Sequence, residues 1–137
     1  MPPNSEIGSP TDWLKRAIGN YQIAQRYESG DYYEDLCFYC QQATEKAVKA
    51  VLIQRGIAYI KTHNIRLLLK LLPDNLSIPI SDREAADISE YAASTRYPGD
   101  YEPISETDWK RAIEIAEKTL TWARKQINFD NANKDAY

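Results

Sequence analysis

The sequence predicts an all-α protein, an antiparallel up-and-down bundle of four long helices plus one short helix. Three observations carry this. Apolar residues return at i, i+3, i+4 and i+7 in segment after segment, helix start and stop residues punctuate those segments, and no stretch of convincing length alternates as a strand does. Short joining loops then place successive helices side by side and antiparallel.

Trp13, Leu14, Ala17, Ile18, Tyr21 and Ala24 form one stripe of a first helix spanning about residues 11–29, ended by Ser29-Gly30. A second helix runs over about 31–55, with Leu36, Cys40, Ala43, Ala47, Ala50 and Val51 on one side and Gly56 as its stop. Its alanines admit a neighbouring helix at close range. The segment THNIRLLLKLL predicts a short third helix capped by Thr62, with Pro73 beyond its end. Ser81 followed by Glu84 is a capping-box pattern that starts a fourth helix, carried by Ala85, Ile88 and Ala92 and ending near Arg96. Ser105 and Asp108 repeat a similar cap before a fifth helix with Trp109, Ala112, Ile113, Ala116, Leu120, Ala123 and Ile127 along one face.

With 137 residues the chain is expected to be one domain, a bundle over 11–127 flanked by loose tails at 1–10 and 128–137. Hydrophobic residues at 43% and charged residues at 27% are ordinary globular values, and the apolar runs are far too short for a membrane span. The N-terminal MPPNSEIGSP lacks the basic and apolar regions of a secretory signal, so a cytoplasmic protein is expected. Cys37 and Cys40 make a CxxC spacing inside a helical segment, with no second CxxC and a single histidine in the chain. A zinc site within one subunit is therefore not expected, nor any other metal or cofactor, and the two thiols read as small buried hydrophobes.

The net charge of −3 conceals an asymmetry. From Lys46 to Leu72 there are six basic residues and no acidic one; from Ser81 to Asp108 eight acids stand against Arg83 and Arg96. Such a split fits a phosphate-facing surface, a charge-complementary protein contact, or simply two solvated helix faces.

One stretch, STRYPGDYEP, interrupts the helical pattern at residues 94–103. Arg96 carries a rigid fork of donors suited to a phosphate. Tyr97 precedes a proline and is pushed to extended geometry, and the Pro-Gly break allows Asp100 and Tyr101 to return beside the helix end. The same residues also describe a plain turn with tyrosines packed on the bundle end.

The segments DLCFYCQQATEKAVKAVLIQRGI, THNIRLLLKLL and AADISEYAASTRYPGDYEP, in that order, resemble the HEPN domain family over about residues 11–127. The resemblance implies an all-α bundle that commonly dimerises and is often encoded beside a minimal nucleotidyltransferase in toxin–antitoxin-like pairs. It also implies, for many members, a metal-independent ribonuclease whose site forms across the dimer from an Arg-x4-6-His motif. Arg96 matches that arginine, whereas Tyr101, Glu102 and Pro103 stand where the histidine is expected. A phenol, with a pKa of about 10, is a poor general base at neutral pH, while arginine and tyrosines still suit a phosphate and a stacked base.

His63, the one histidine, is a further acid–base candidate because imidazole titrates near neutrality; otherwise it is a capping or surface residue. Glu45 and Lys46 are helix neighbours that point in different directions, which suits one inward polar contact and one surface charge. The expected site residues are thus Arg96, Tyr97, Asp100 and Tyr101 for nucleotide or RNA binding, and Arg96, Tyr101 and His63 for catalysis. By the same resemblance Tyr97 and Tyr101 are candidate acceptors of an adenylyl group from the partner. The rival expectations are a ribonuclease with a variant Arg-x4-Tyr site and a non-catalytic helical interaction module.

Overall fold

The computed structural model describes residues 7–92 and 102–128. Regular structure among them is entirely helical: α1 (Pro10–Ala24), α2 (Tyr33–Gln54), α3 (Ile65–Leu69), α4 (Asp82–Ser89), a 3-10 turn at Glu90–Ala92, and α5 (Glu106–Gln126). Each start has a chemical cause. Ser9 accepts a hydrogen bond from the Asp12 amide ahead of a helix that opens on Pro10. Ser81 and Glu84 cap α4 reciprocally, at 3.0 and 2.9 Å, and Ser105 and Asp108 do the same for α5, at 3.1 and 3.0 Å.

α2 closes in a Schellman turn. Gly56, at φ +68, donates its amide to Ile53 O, and the Ile57 amide reaches Leu52 O.

Three boundaries differ from the sequence expectation. α1 ends at Ala24 rather than near Ser29, because the Trp109 indole of α5 donates to Ala24 O at 2.8 Å and Tyr27 stacks on Tyr33 at 4.9 Å. Tertiary contacts thus hold the segment that local propensity would have kept helical. α3 is capped by Asn64, whose Oδ1 accepts from the Arg66 amide, while Thr62 acts one step earlier by accepting from the Asn64 amide. Regular α4 stops at Ser89, whose hydroxyl donates back to Ala85 O and accepts from the Ile65 amide of α3. The expected extension of this helix towards Arg96 falls on residues 93–101, outside the described residues.

α2 is the central element, packed against α1, α5, α3 and α4. Its fully buried Ala43, Ala47 and Ala50 allow the close approach expected of them. Around its C-terminal half gather Leu14, Val48, Val51, Leu52, Leu68 and Leu120, and around its N-terminal half Cys37, Cys40, Ile65, Ile88 and Ile115. Burial of each of the larger side chains contributes about 1.5–3 kcal/mol relative to exposure. Both cysteines are fully buried thiols outside any disulfide, and burial pushes the Cys40 thiol far above its ordinary range. No described helix is long and apolar enough to cross a membrane.

Candidate functional site

Gln41, Glu45 and Lys49 follow one another at four-residue steps along α2, so they share a face, and all three are buried. Such residues are almost never buried without partners, and these partner one another. Lys49 Nζ lies 2.8 Å from Glu45 Oε2, with the ammonium also over the rings of Trp13 (5.6 Å) and Tyr59 (5.4 Å). Gln41 Nε2 donates to Glu45 Oε1 at 3.1 Å and to His63 O at 2.9 Å.

The remaining partner of the carboxylate is His63, whose Nδ1 lies 2.8 Å from Glu45 Oε1. Its side chain is 68% exposed, so the ring reaches out of the protein from an acidic anchor that is only 4% exposed. Burial by itself raises the Glu45 carboxyl, but hydrogen bonds from Lys49, Gln41 and His63, with the Lys49 charge, outweigh it and hold the group below its ordinary value. Glu45 is therefore ionised at neutral pH and accepts only. His63 must then carry a proton on Nδ1, and Nε2 is the nitrogen left to face solvent.

His63, Arg66, Ser89, Glu90 and Ala92 line a cleft of about 360 Å³ between the start of α3 and the end of α4. Ser89 fixes the two helices to each other through the Ile65 amide at 2.9 Å. Arg66 is steered by Asp82, with Nε–Oδ1 and Nη2–Oδ2 both at 3.0 Å. That pair joins the basic stretch to the acidic one inside a single chain. Further acidic charge is matched internally, Glu84 by Lys118 and Asp87 by Arg83 and Arg111. A second cleft of about 480 Å³, lined by Pro79, Glu117, Lys118, Trp122 and Lys125 among others, contains no histidine.

Of the site residues expected from sequence, the structure describes His63 and places it in the first cleft, held by Glu45 rather than serving as a cap. Arg96, Tyr97, Asp100 and Tyr101 lie outside the described residues. Ala92, on the cleft wall, is the last described residue before them. Gln41 and Lys49 were not legible as partners of Glu45, although their four-residue spacing beside the apolar stripe of α2 is a usable signal. Lys46 is no free surface charge: it is half-buried and donates to Asn20 Oδ1 at 2.8 Å. Among the described residues no group of three or more His, Cys, Asp or Glu side chains could hold a metal ion.

Comparison with sequence families matches the HEPN domain over residues 11–126. The chain belongs to the HEPN domain family. Two solved structures resemble this HEPN domain along most of its length. The crystal structure of TT1696 from Thermus thermophilus is 30% identical, with a TM-score of 0.75 over 88% of this chain and 99% of that one. ST0689, described as an archaeal HEPN homologue, is 32% identical with a TM-score of 0.69 over the same shares, 88% and 99%. Comparison with curated proteins gives no match.

Proposed function

We propose that this HEPN domain binds a nucleotide or RNA through its phosphate, as a homodimer that works with a minimal nucleotidyltransferase in a toxin–antitoxin-like pair. The observation that supports this best is the cleft itself. It presents His63 and Arg66 on one wall and runs to Ala92, a few residues ahead of the Arg96 motif. Arg96 and Arg66 supply charge and directed donors for phosphate, and Tyr97 and Tyr101 supply ring faces for a base.

The test is titration of a labelled mixed RNA pool, and of ATP, against the parent, Arg66→Ala and Arg96→Ala at two salt concentrations. Salt-sensitive binding that weakens about tenfold in either variant is expected, since each lost charge contact removes part of the phosphate attraction. Parent protein that binds neither ligand rules the proposal out. The partner component is tested separately, by incubation with the neighbour-encoded transferase and ATP. An adenylyl adduct that disappears in Tyr97→Phe or Tyr101→Phe identifies the acceptor.

Ribonuclease activity is a second reading of the same cleft. It is favoured by one contact, His63 Nδ1 on Glu45, because the motif lacks the imidazole that such cleavage requires.

A further inference from the structure

We propose that His63 and Glu45 form an acid–base dyad, in which Glu45 positions the ring and His63 Nε2 takes the proton from the 2′-hydroxyl of an RNA strand lying in the α3–α4 cleft. The inference rests on the RNA-binding reading above and assigns that site a chemistry.

Three features of the geometry carry it. First, the carboxylate is buried and the imidazole exposed, so the dyad has one fixed end and one working end. Second, the fixed end is itself immobilised: Lys49 holds Oε2 and Gln41 ties Oε1 to the His63 backbone, leaving the ring little freedom to turn away. Third, the working end lines a cleft that also contains Arg66, whose guanidinium is suited to phosphate and whose present partner, Asp82, is 70% exposed. Among the described residues, the charged groups linked to the ring or lining its cleft are Glu45 and, behind it, Lys49 from α2, Arg66 from α3, and Glu90 from the turn after α4.

The step balances without a metal or redox partner. The 2′-oxygen forms a bond to phosphorus as its proton passes to Nε2. The P–O5′ bond breaks with its electron pair on O5′, which takes a proton from water. The hydroxide left behind recovers the proton held by His63. The products are a 2′,3′-cyclic phosphate and a 5′-hydroxyl, and the protein is regenerated. Glu45 touches no reacting atom; it is a positioning residue, and His63 is the catalytic one.

The test uses the full chain, purified free of any partner, with a mixed RNA pool and its 2′-deoxy counterpart, measuring binding and cleavage side by side. Expected are binding of both pools and cleavage of RNA alone to cyclic-phosphate ends. His63→Ala should slow cleavage about 100-fold or more while still binding, with added imidazole restoring part of the rate. Glu45→Gln should lower kcat at unchanged KM by about tenfold or more, as expected when an orienting carboxylate is lost. Because the chain has a single histidine, nitrogen NMR of the ring reads the tautomer directly, and a proton on Nδ1 is expected in the folded parent.

Bound but uncleaved RNA overturns the dyad and leaves the binding proposal standing. No RNA bound overturns the dyad and the RNA half of the binding proposal, which then stands or falls on ATP. Cleavage that survives His63→Ala, or a ring protonated on Nε2 alone, overturns the assignment even if RNA is cut. If Glu45→Gln does not fold, the exposed His63→Ala and the parent tautomer still decide.

Discussion

Lys49 Nζ stands 2.8 Å from Glu45 Oε2 one helical turn away, and both side chains are more than nine-tenths buried. An ion pair in that position is costly to break from one side, because the surviving charge keeps its desolvation and loses its compensation. Lys49→Met is therefore expected to destabilise the fold by about 3–5 kcal/mol. Adding Glu45→Gln to it should recover part of the loss, since no full charge is then left buried. Urea denaturation of the two variants checks this; a double variant less stable than Lys49→Met would show that the charge is not the cause.

The same carboxylate sets an acid limit. Glu45 is held below its ordinary value of 4.5 in the fold by the hydrogen bonds and charge that outweigh burial. Glu84 is also lowered, chiefly by the Ser81 amide with help from Lys118. As pH falls, the unfolded chain takes up these protons first, so protonation favours unfolding. Stability from both groups is expected to be complete at neutral pH, to fall as pH approaches 4.5, and to be gone below their depressed values. Melting temperatures between neutrality and strong acid read this directly. Glu45→Gln should give a flatter curve than the parent, and a parallel curve would refute the role of Glu45.

Glycines at two sites should respond in opposite directions to the same substitution. Gly56 has φ +68 and an added Cβ meets nothing within 4 Å, so Gly56→Ala is expected to cost about 1–2 kcal/mol from backbone conformation alone. Gly19, inside α1 with equal space and no such φ, should gain about 0.5–1 kcal/mol as alanine. Denaturant midpoints of the pair separate conformational from packing effects. Equal shifts in one direction would contradict the turn geometry at Gly56.

Much of the helical order was legible because its signals are local. Ser81 with Glu84 and Ser105 with Asp108 are close in sequence and cap as their spacing says. The end of α1 was not, since what stops it is Trp109, on a helix at the far end of the chain. Nor was the choice of Asn64 over Thr62 as the cap of α3, because both accept backbone hydrogen bonds and the register is set across the chain by Ser89. His63 was visible as a lone titratable group, but its meaning comes from Glu45, eighteen residues earlier, which no short motif connects to it. Pairing across that distance is a property of the fold.

Arg66 and Asp82 offer the sharpest test of the cleft as an anion site, since removing one partner or the other should act in opposite senses. Their side chains are 44% and 70% exposed, so the bond between them contributes only about 0–1 kcal/mol to stability. Both Arg66→Ala and Asp82→Ala are expected to melt close to the parent. Asp82→Ala frees the guanidinium and removes a negative charge from its side, so RNA or nucleotide should bind a few-fold more tightly, about 1 kcal/mol at most. Arg66→Ala should weaken binding and flatten its salt dependence. Equal loss of affinity in both variants would mean that the pair supports the cleft structurally and that phosphate is held elsewhere.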